Sequence, residues 1–536
     1  MSQEILDRPT HLPPERGTQI AATVRNYAPL LTVGGGLMLF AVRSWAGPEN
    51  FISDVALMML ALVFYLIAAV FYLTNFYAPF RIAELLGLWA TVAAVFLNLS
   101  SWLVRWAAAY DREVAIFTGQ GRSLSEMPWA FRYIPFANLY DLSLAFAFGA
   151  GITTLLVMRR KSYTTIAALS LPLAALILVL ARFIGSELID LPPVLDSYWR
   201  PIHVGIASLS YGIALVCFSV AVLYLLKDGV KPERMAVWSC LFTVAVFATI
   251  GRYGIFAPAT FGTYAASTFA GDSRMALPLR ADIPYVGWLL VAAGVLVTAT
   301  ILLFIRRPMS GDRLHYLGHW LLRVSLVVQG AGIVTLVYQI TNAGNVIQLI
   351  DKAQYEKFAV WLLQQENVSQ AQINLLPSGQ LYAMTSEWVA RNGTDLHLSL
   401  NANPVEFAAL LTAFAATFFV VLFSLNTERI RGSLPDTARL DGLMYKLGGT
   451  AFAGLALLLM TGAVWANESW GRYWGWDAKE VGALVAWLTY AGFLHSRIAY
   501  GCTGRHSAYL AIVAFMFVVF TYLGVSYLLP GLHSYA

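Results

Sequence analysis

The stretch Asp54–Leu73, DVALMMLALVFYLIAAVFYL, has one charged residue at its start and is otherwise apolar or aromatic. About 20 such residues form a helix long enough to cross the hydrocarbon core of a bilayer. Comparable runs recur along the chain, which is 58% hydrophobic and 12% charged over its 536 residues. A soluble domain carries about twice that share of charge. The sequence therefore predicts an all-α polytopic membrane protein.

The apolar runs predict about 13 transmembrane helices, with boundaries accurate to a few residues. These spans lie at 28–46, 54–73, 82–107, 137–157, 163–182, 204–226, 236–257, 284–305, 318–340, 405–424, 448–466, 480–499 and 507–529. The net charge of +5 says little about orientation, since orientation follows the positions of Lys and Arg in short loops.

Basic residues concentrate in every second loop, which predicts that these loops and the N-terminus are cytoplasmic. The residues are Arg159, Arg160, Lys161, Lys227, Lys231, Arg234, Arg306, Arg307, Arg313, Arg429, Arg431, Arg439 and Lys446. The C-terminus and the longest hydrophilic segment, 341–404, are then external. We expect an integral protein of the cytoplasmic (inner) membrane whose functional face is periplasmic or external.

Four parts follow from this topology. They are a cytoplasmic tail (1–27), a first membrane part with six spans (28–230), an inserted module with four spans and the external segment 341–404 (231–437), and a last part with three spans (438–536). The tail has neither the early apolar region nor the cleavage site of a signal peptide, so the first span is expected to remain as an anchor.

Composition and motifs also exclude several functions. No Lys/Arg cluster favours nucleic-acid binding. Cys217, Cys240 and Cys502 form neither CxxC nor CxxCH, so we expect no thiol-redox motif and no covalent haem attachment to this chain.

The histidines include two pairs, one at each predicted membrane face. His203 and His533 lie near the external face, whereas His319 and His495 lie near the cytoplasmic ends of their spans. Two facing imidazoles are a common axial ligand set for haem iron. For any single histidine a polar role at a span end is the commoner interpretation, and a proton relay is a third.

The external segment Trp470–Glu480, WGRYWGWDAKE, is unusually rich in aromatic residues. If helical, its residues i, i+3, i+4 and i+7 share one face; these are Trp470, Tyr473, Trp474 and Asp477. Arg472 and Lys479 then suit the carboxylates of a porphyrin, unless Asp477 and Glu480 pair with them locally. The alternative is an aromatic belt that only anchors a span end.

This segment resembles the WWD signature of haem-handling proteins, in the form WGxYWxWDxKE. "TGAVWA" before it and "LHSR" after it also match, and the chain is similar to the CcsA/ResC family, the cytochrome c synthase subunit of System II. Four further elements, PFANLYDLS, LPPVLDSYWRPIHVGIASLSYG, LDGLMYKLG and GLHSY, resemble that family in the same order. Ala478, Val481 and Gly482 depart from its usual pattern.

The resemblance implies that the protein carries haem b across the membrane and attaches it to the CxxCH cysteines of apocytochrome c on the outer face. It implies His203 and His533 as iron ligands at an external site and His495 as an intramembrane ligand. The remaining haem-binding residues implied are Trp470, Arg472, Tyr473, Trp474, Trp476, Asp477, Lys479 and Glu480. The alternative is a haem exporter or chaperone that presents haem to a separate ligating protein.

The module 231–437 resembles a reduced form of the partner subunit CcsB/ResB. "LGHWLLRVSLVVQGAGIVTLVY" is similar to a span of that partner that begins with a histidine. This implies His319 as the second intramembrane iron ligand, with His315 as the substitute. The resemblance also implies two further partners, a separate CcsB/ResB-like subunit and a thioredoxin-like thiol reductant.

Overall fold

A computed structural model of the chain describes residues 16–49, 51–186, 188, 193–253, 260–270, 273–305, 311–400 and 404–525. These residues divide into two compact units. The first unit comprises the described residues within Met1–Leu178, Asp190–Tyr224 and Ser433–Val519; the second comprises those within Val179–Ile189, Leu225–Gly432 and Phe520–Ala536.

Long helices account for the N-terminal part of the chain. They are α1 (Arg16–Ala46), α2 (Asp54–Tyr77), α3 (Arg81–Gly119), α4 (Leu139–Met158), α5 (Ala167–Ile184) and α6 (Trp199–Lys227). Helix α3 packs against α1, α2 and α4. Helices α4 and α6 approach so closely that a Cβ on Gly212 would lie 2.3 Å from the carbonyl carbon of Gly149. Small residues permit such backbone contact between membrane helices, and here they fix the position of α6.

The second unit contains helices and three short strands. Its elements in chain order are α7 (Pro232–Tyr253), β1 (Thr263–Ala270), β2 (Ser273–Asp282), α8 (Val286–Ile305), α9 (Gly311–Thr341), α10 (Val346–Leu349), α11 (Tyr355–Gln365), α12 (Gln370–Ile373), α13 (Ser378–Asn392), β3 (His397–Leu398), α14 (Pro404–Leu425) and α15 (Thr427–Ser433). Helix α14 packs against α7 and α9, and α8 packs against α7 and α9.

The strands form an antiparallel sheet in the order β2-β1-β3. Leu277, Leu279 and Ala281 of β2 are buried at every second position, as in a strand with one face in a core. Pro278 is tolerated because β2 is an edge strand. The sheet shares one apolar core with α10, α11 and α13, so the segment that follows α9 folds together with a hairpin that the sequence did not predict.

The C-terminal part of the chain returns to the first unit with α16 (Thr437–Trp470), α17 (Ala478–Tyr500) and α18 (Arg505–Val519). Helix α17 packs against both α16 and α18. The end of α16 and the start of α17 therefore enclose the Trp-rich segment as a short connection.

Eleven helices among the described residues are long and apolar enough to cross a membrane. The prediction of an all-α polytopic membrane protein is thereby confirmed, apart from the small sheet. Helices α7 and α17 lie on the two remaining predicted spans but are not among the eleven. The total of thirteen spans and the sides of the termini stay predictions.

Candidate functional site

The Trp-rich segment is a loop, so the helical face predicted from its spacing is not formed. Helix α16 ends at Gly471, which has a φ of 69° and donates its N–H to the carbonyl of Asn467 (2.9 Å). Glycine adopts this left-handed conformation without the steric cost of a Cβ. Helix α17 then begins after Asp477, and 474–477 have no regular secondary structure.

Two carboxylates of the segment brace this loop. The Asp477 carboxylate accepts the N–H of Lys479 (3.3 Å) and caps α17. The Glu480 carboxylate accepts the N–H groups of Gly475 (2.8 Å) and Asp477 (3.2 Å). This reciprocal capping box satisfies donors that a helix start leaves unpaired. Contact of either carboxylate with haem stays a prediction, but both have a structural role without it.

The aromatic side chains of the loop remain accessible. Tyr473 is 61% and Trp476 72% exposed. The Trp474 and Trp476 rings meet edge to face with centroids 5.8 Å apart. Trp476 has a φ of 57°, which is unusual for a bulky residue and costs about 1–2 kcal/mol. The loop thus presents two exposed aromatic rings, one of which packs against Trp474.

The Arg472 side chain lies against Gly475. A Cβ at Gly475 would be 2.9 Å from Arg472 Nη2, so the glycine leaves the space that the guanidinium occupies. Arg472 is exposed and Lys479 is half-buried. Since Asp477 and Glu480 serve the backbone, Arg472 is the exposed cation of the loop that suits an anionic ligand.

His203 lies in the first turns of α6 and packs against α16, the helix that leads into the loop. Its Nδ1 is 3.0 Å from the carbonyl oxygen of Leu458 and 3.4 Å from the hydroxyl of Thr461. A carbonyl oxygen can only accept, so Nδ1 carries the proton and donates. In the neutral ring, Nε2 then carries the lone pair, as a metal ligand requires.

Helix α16 is shaped to receive this imidazole. A Cβ at Gly462 would lie 2.7 Å from His203 Cε1, so only glycine leaves room for the ring. The Trp465 ring is 5.7 Å from His203, centroid to centroid. The buried Nε1 atoms of Trp465 and Trp474 have no hydrogen-bond partner among the described residues. One unpaired indole donor, that of Trp465, therefore lies beside His203, and a second, that of Trp474, lies in the loop after α16.

Polar contacts hold the start of α6 against the end of α16. The Ser197 hydroxyl donates to the Glu468 carboxylate (2.7 Å) and accepts the N–H of Trp199 (3.0 Å). Arg132, in the segment between α3 and α4, donates to the Asp196 carboxylate (3.0 Å). These bonds fix the position from which His203 reaches α16.

The matched element PFANLYDLS anchors α4. Asn138 caps the helix by accepting the N–H of Asp141 (2.9 Å), and Asp141 accepts from the buried Arg105 of α3. Arg105 also bonds to Asp54 at the start of α2 (3.2 Å). Sequence reasoning missed Arg105, although an ionisable residue inside a predicted span is a usable signal.

Two other matched elements meet through an ion pair. Arg497 of "LHSR" donates to both oxygens of Asp441 in "LDGLMYKLG" (2.7 and 2.6 Å). Asp441 also accepts the N–H of Gly504 (3.0 Å). His495 is exposed on α17, with its ring 5.5 Å from that of Tyr500. The family match thus includes residues that tie α16 to α17.

The other predicted ligands stay predictions. His533 lies outside the described residues. His495 lies in the first unit and His319 in the second. Nε2 of His319 is 3.0 Å from the Glu233 carboxylate, and its Nδ1 has no hydrogen-bond partner in the described part of the chain. The hydrogen bond from His319 lowers the pKa of Glu233 to about 2.

A known protein family matches the part of the chain that contains most of these sequence elements. The family model for cytochrome C assembly protein matches residues 136–269 and 287–533, which is more than half of the chain. The cytochrome c biogenesis protein CcsA of Gloeobacter violaceus is 44% identical over 137 residues, 26% of this chain and 38% of that protein. Its counterpart in Synechococcus elongatus is 52% identical over 103 residues, 19% of this chain and 31% of the relative.

The CcsA of Guillardia theta is similar, at 45% identity over 125 residues, 23% of this chain and 41% of the relative. The chain thus spans less than half the length of each of these relatives. The resemblance to the CcsA/ResC family is confirmed, whereas the resemblance of 231–437 to CcsB/ResB stays a prediction. This chain belongs to the cytochrome C assembly protein family.

Proposed function

We propose that this protein acts in cytochrome c biogenesis as a cytochrome c synthase. It binds haem b where α6 begins and α16 ends, and attaches it to the CxxCH cysteines of apocytochrome c. The family match and the names of its CcsA relatives support a role in cytochrome c biogenesis. The covalent attachment and the haem type are our proposal.

The observation that carries this proposal is the hydrogen bond between His203 Nδ1 and the Leu458 carbonyl (3.0 Å). It selects the tautomer in which Nε2 can coordinate iron. The Leu458 carbonyl belongs to α16, the helix that ends at the Trp-rich loop. The same helix therefore positions both His203 and the aromatic residues. A histidine that served only as a polar residue at a span end would need neither a fixed tautomer nor the space that Gly462 leaves for its ring.

The other groups suit a flat apolar ring with carboxylates. Exposed Tyr473 and Trp476 offer apolar surface, and Arg472 offers a cation to a propionate. Haem supplies the reactive vinyl groups when bound. The protein's own residues bind and orient it so that the incoming thiols meet those groups. The indole N–H groups of Trp465 and Trp474 are additional donors toward the ligand.

The rest of the assignment follows the family resemblance. His533 is the second external ligand, and His495 with His319 is the intramembrane pair that receives haem from the cytoplasmic side. Attachment takes place on the periplasmic or external face. A thioredoxin-like reductant keeps the client cysteines reduced, and a CcsB/ResB-like subunit assists.

Co-expression with a reporter apocytochrome c tests this function in a host that lacks its own maturation system. We expect haem that stays on the reporter through a denaturing gel, and none on a reporter whose CxxCH cysteines are serines. Purified protein that carries haem but leaves the reporter unmodified would contradict the synthase and favour the exporter. A colourless preparation from haem-replete cells would contradict both functions.

A further inference from the structure

A second cluster of ligand-type side chains lies in the second unit, far along the chain from the Trp-rich loop. Oε1 of Glu233, in the first turn of α7, is 3.1 Å from Nε2 of His315 and 3.0 Å from Nε2 of His319. The two histidines are four residues apart on α9 and so share a helix face. One carboxylate oxygen and two imidazole nitrogens therefore converge.

Their spacing is close to that of a metal coordination shell. The three ligand atoms all lie within 4.8 Å of one another. Metal–ligand bonds of about 2.0–2.1 Å in tetrahedral geometry give ligand–ligand distances of roughly 3.3 Å. The two oxygen–nitrogen distances need to lengthen by only a few tenths of an ångström, and the two imidazoles need to move closer by at most about 1.5 Å.

The side chains around the cluster orient both imidazoles. The ring of Phe304, on α8, lies 5.8 Å from that of His315 and 5.2 Å from that of His319. A Cβ at Gly318 would be 2.5 Å from this phenyl ring, so glycine at that position lets Phe304 pack beside both histidines.

Exposure differs among the three ligands. The side chains of Glu233 and His319 are 17% and 19% exposed, whereas that of His315 is 48% exposed. An ion held here would be bonded to two well-shielded groups and one accessible group. The exposed His315 side chain would let water reach such an ion.

We propose that Glu233, His315 and His319 bind a divalent first-row cation of the zinc class through one oxygen and two Nε2 atoms. Neutral imidazole with a carboxylate is a donor set that zinc and its neighbours prefer, and histidines at i and i+4 of a helix are a known zinc-binding arrangement. Three protein ligands leave one position open. Such an ion would join the first turn of α7 to α9.

This use of His319 excludes its predicted use as an iron ligand through the same nitrogen. Nε2 can coordinate one ion, and here it points to Glu233 rather than away from it. The proposal therefore competes with the intramembrane part of the proposed function, which uses His319, but it is independent of the proposed external haem site, which rests on His203 in the first unit.

Zinc titration of the purified, chelator-treated full-length protein tests this site. We expect about one zinc ion per chain, and a rise in Kd of at least about tenfold in Glu233→Ala and His315→Ala. His506→Ala, which removes an exposed histidine at the start of α18, should bind zinc as the parent does. Equal zinc affinity in all four proteins would overturn the proposal.

Cobalt(II) binding to the parent protein tests the site without any variant. In the parent protein we expect the intense visible absorption of a four-coordinate cobalt site, and its loss when zinc is added. Only the weak absorption of hydrated, six-coordinate cobalt would overturn the proposal. Haem content measured on the same samples keeps failure of this site distinct from failure of the proposed function.

Discussion

His203 and His319 are both held by a hydrogen bond from a ring nitrogen, but their partners differ. His203 donates through Nδ1 to a backbone carbonyl of α16, whereas His319 presents Nε2 to the Glu233 carboxylate. In the first case the nitrogen most used for iron carries the lone pair; in the second it is occupied by a carboxylate that also meets His315. Both residues are histidines, so the neighbouring groups distinguish the two sites: a backbone carbonyl at His203, and a carboxylate with a second imidazole at His319.

The carboxylates differ in the same way. Asp477 and Glu480 accept backbone N–H groups and give the Trp-rich loop its shape. Glu233 instead faces two imidazoles. The proposed metal site thus uses the carboxylate whose partners are ligand-type side chains.

The largest effect is expected from the buried ion pair between Arg105 and Asp141. Asp141→Ala should cost about 3–5 kcal/mol, because it leaves the Arg105 charge buried with less compensation. Phe136, close to this pair in sequence, packs in one cluster with Val204 beside His203. The unfolding midpoint in detergent measures the loss.

Arg122→Ala is the control for this change, since its partner Glu126 is exposed and 3.6 Å away. We expect less than about 1 kcal/mol there. Equal midpoints for the two variants would show that the Asp141–Arg105 pair does not stabilise this region.

The next effect concerns the space for His203. Gly462→Ala places a Cβ 2.7 Å from Cε1 and 3.0 Å from Nδ1 of the ring, which displaces Nδ1 from the Leu458 carbonyl. We expect covalent haem on the reporter to fall about tenfold, as for other losses of a ligand's orienting bond. Gly442→Ala on the same helix meets nothing within 4 Å and should mature the reporter normally. Normal maturation in Gly462→Ala would argue against the fixed tautomer.

Substitutions at Asp477 distinguish a role in capping α17 from a role in haem binding. Asp477→Ala removes the cap at a cost of about 1 kcal/mol, whereas asparagine is an equally good cap. We therefore expect reporter maturation about fivefold lower in Asp477→Ala and nearly unchanged in Asp477→Asn. If both variants fail alike, the charge itself is needed and Asp477 contacts the ligand.

Trp476 gives the smallest expected change in stability. Trp476→Gly relieves the positive φ and should fold at least as stably as the parent, whereas Trp476→Ala keeps part of the strain. Both remove the ring, so both should mature the reporter several-fold less well. Full maturation with glycine would make the exposed ring dispensable. The unfolding midpoint and the haem stain are measured on the same preparations.

Sequence predicted the helices well because runs of apolar residues have few alternatives to a spanning helix. It also contained the signals for the loop: Gly471 is a helix-ending residue, and Asp477 with Glu480 forms a capping pattern. The predicted helical face of the Trp-rich segment is wrong because these end signals outweigh the helical spacing of its side chains. The hairpin was missed for a similar reason, since Leu277 and Leu279 alternate in a segment taken as a loop.

The contacts that distinguish His203 from His319 could not be predicted in this way. The Leu458 carbonyl is 255 residues away from His203, and any residue type supplies a carbonyl. Glu233 is 86 residues from His319, and nothing in either local sequence indicates the partner. Such contacts depend on how helices pack, which a single sequence does not specify.

Comparison of His203→Ala with His506→Ala tests whether His203 is a haem ligand, with covalent haem on the reporter and the Soret absorption of the purified protein as readouts. We predict that His203→Ala folds, loses maturation and recovers part of it with added imidazole, while His506→Ala behaves as the parent. A folded His203→Ala protein that matures the reporter at the parental level would contradict the assignment of His203 as an iron ligand.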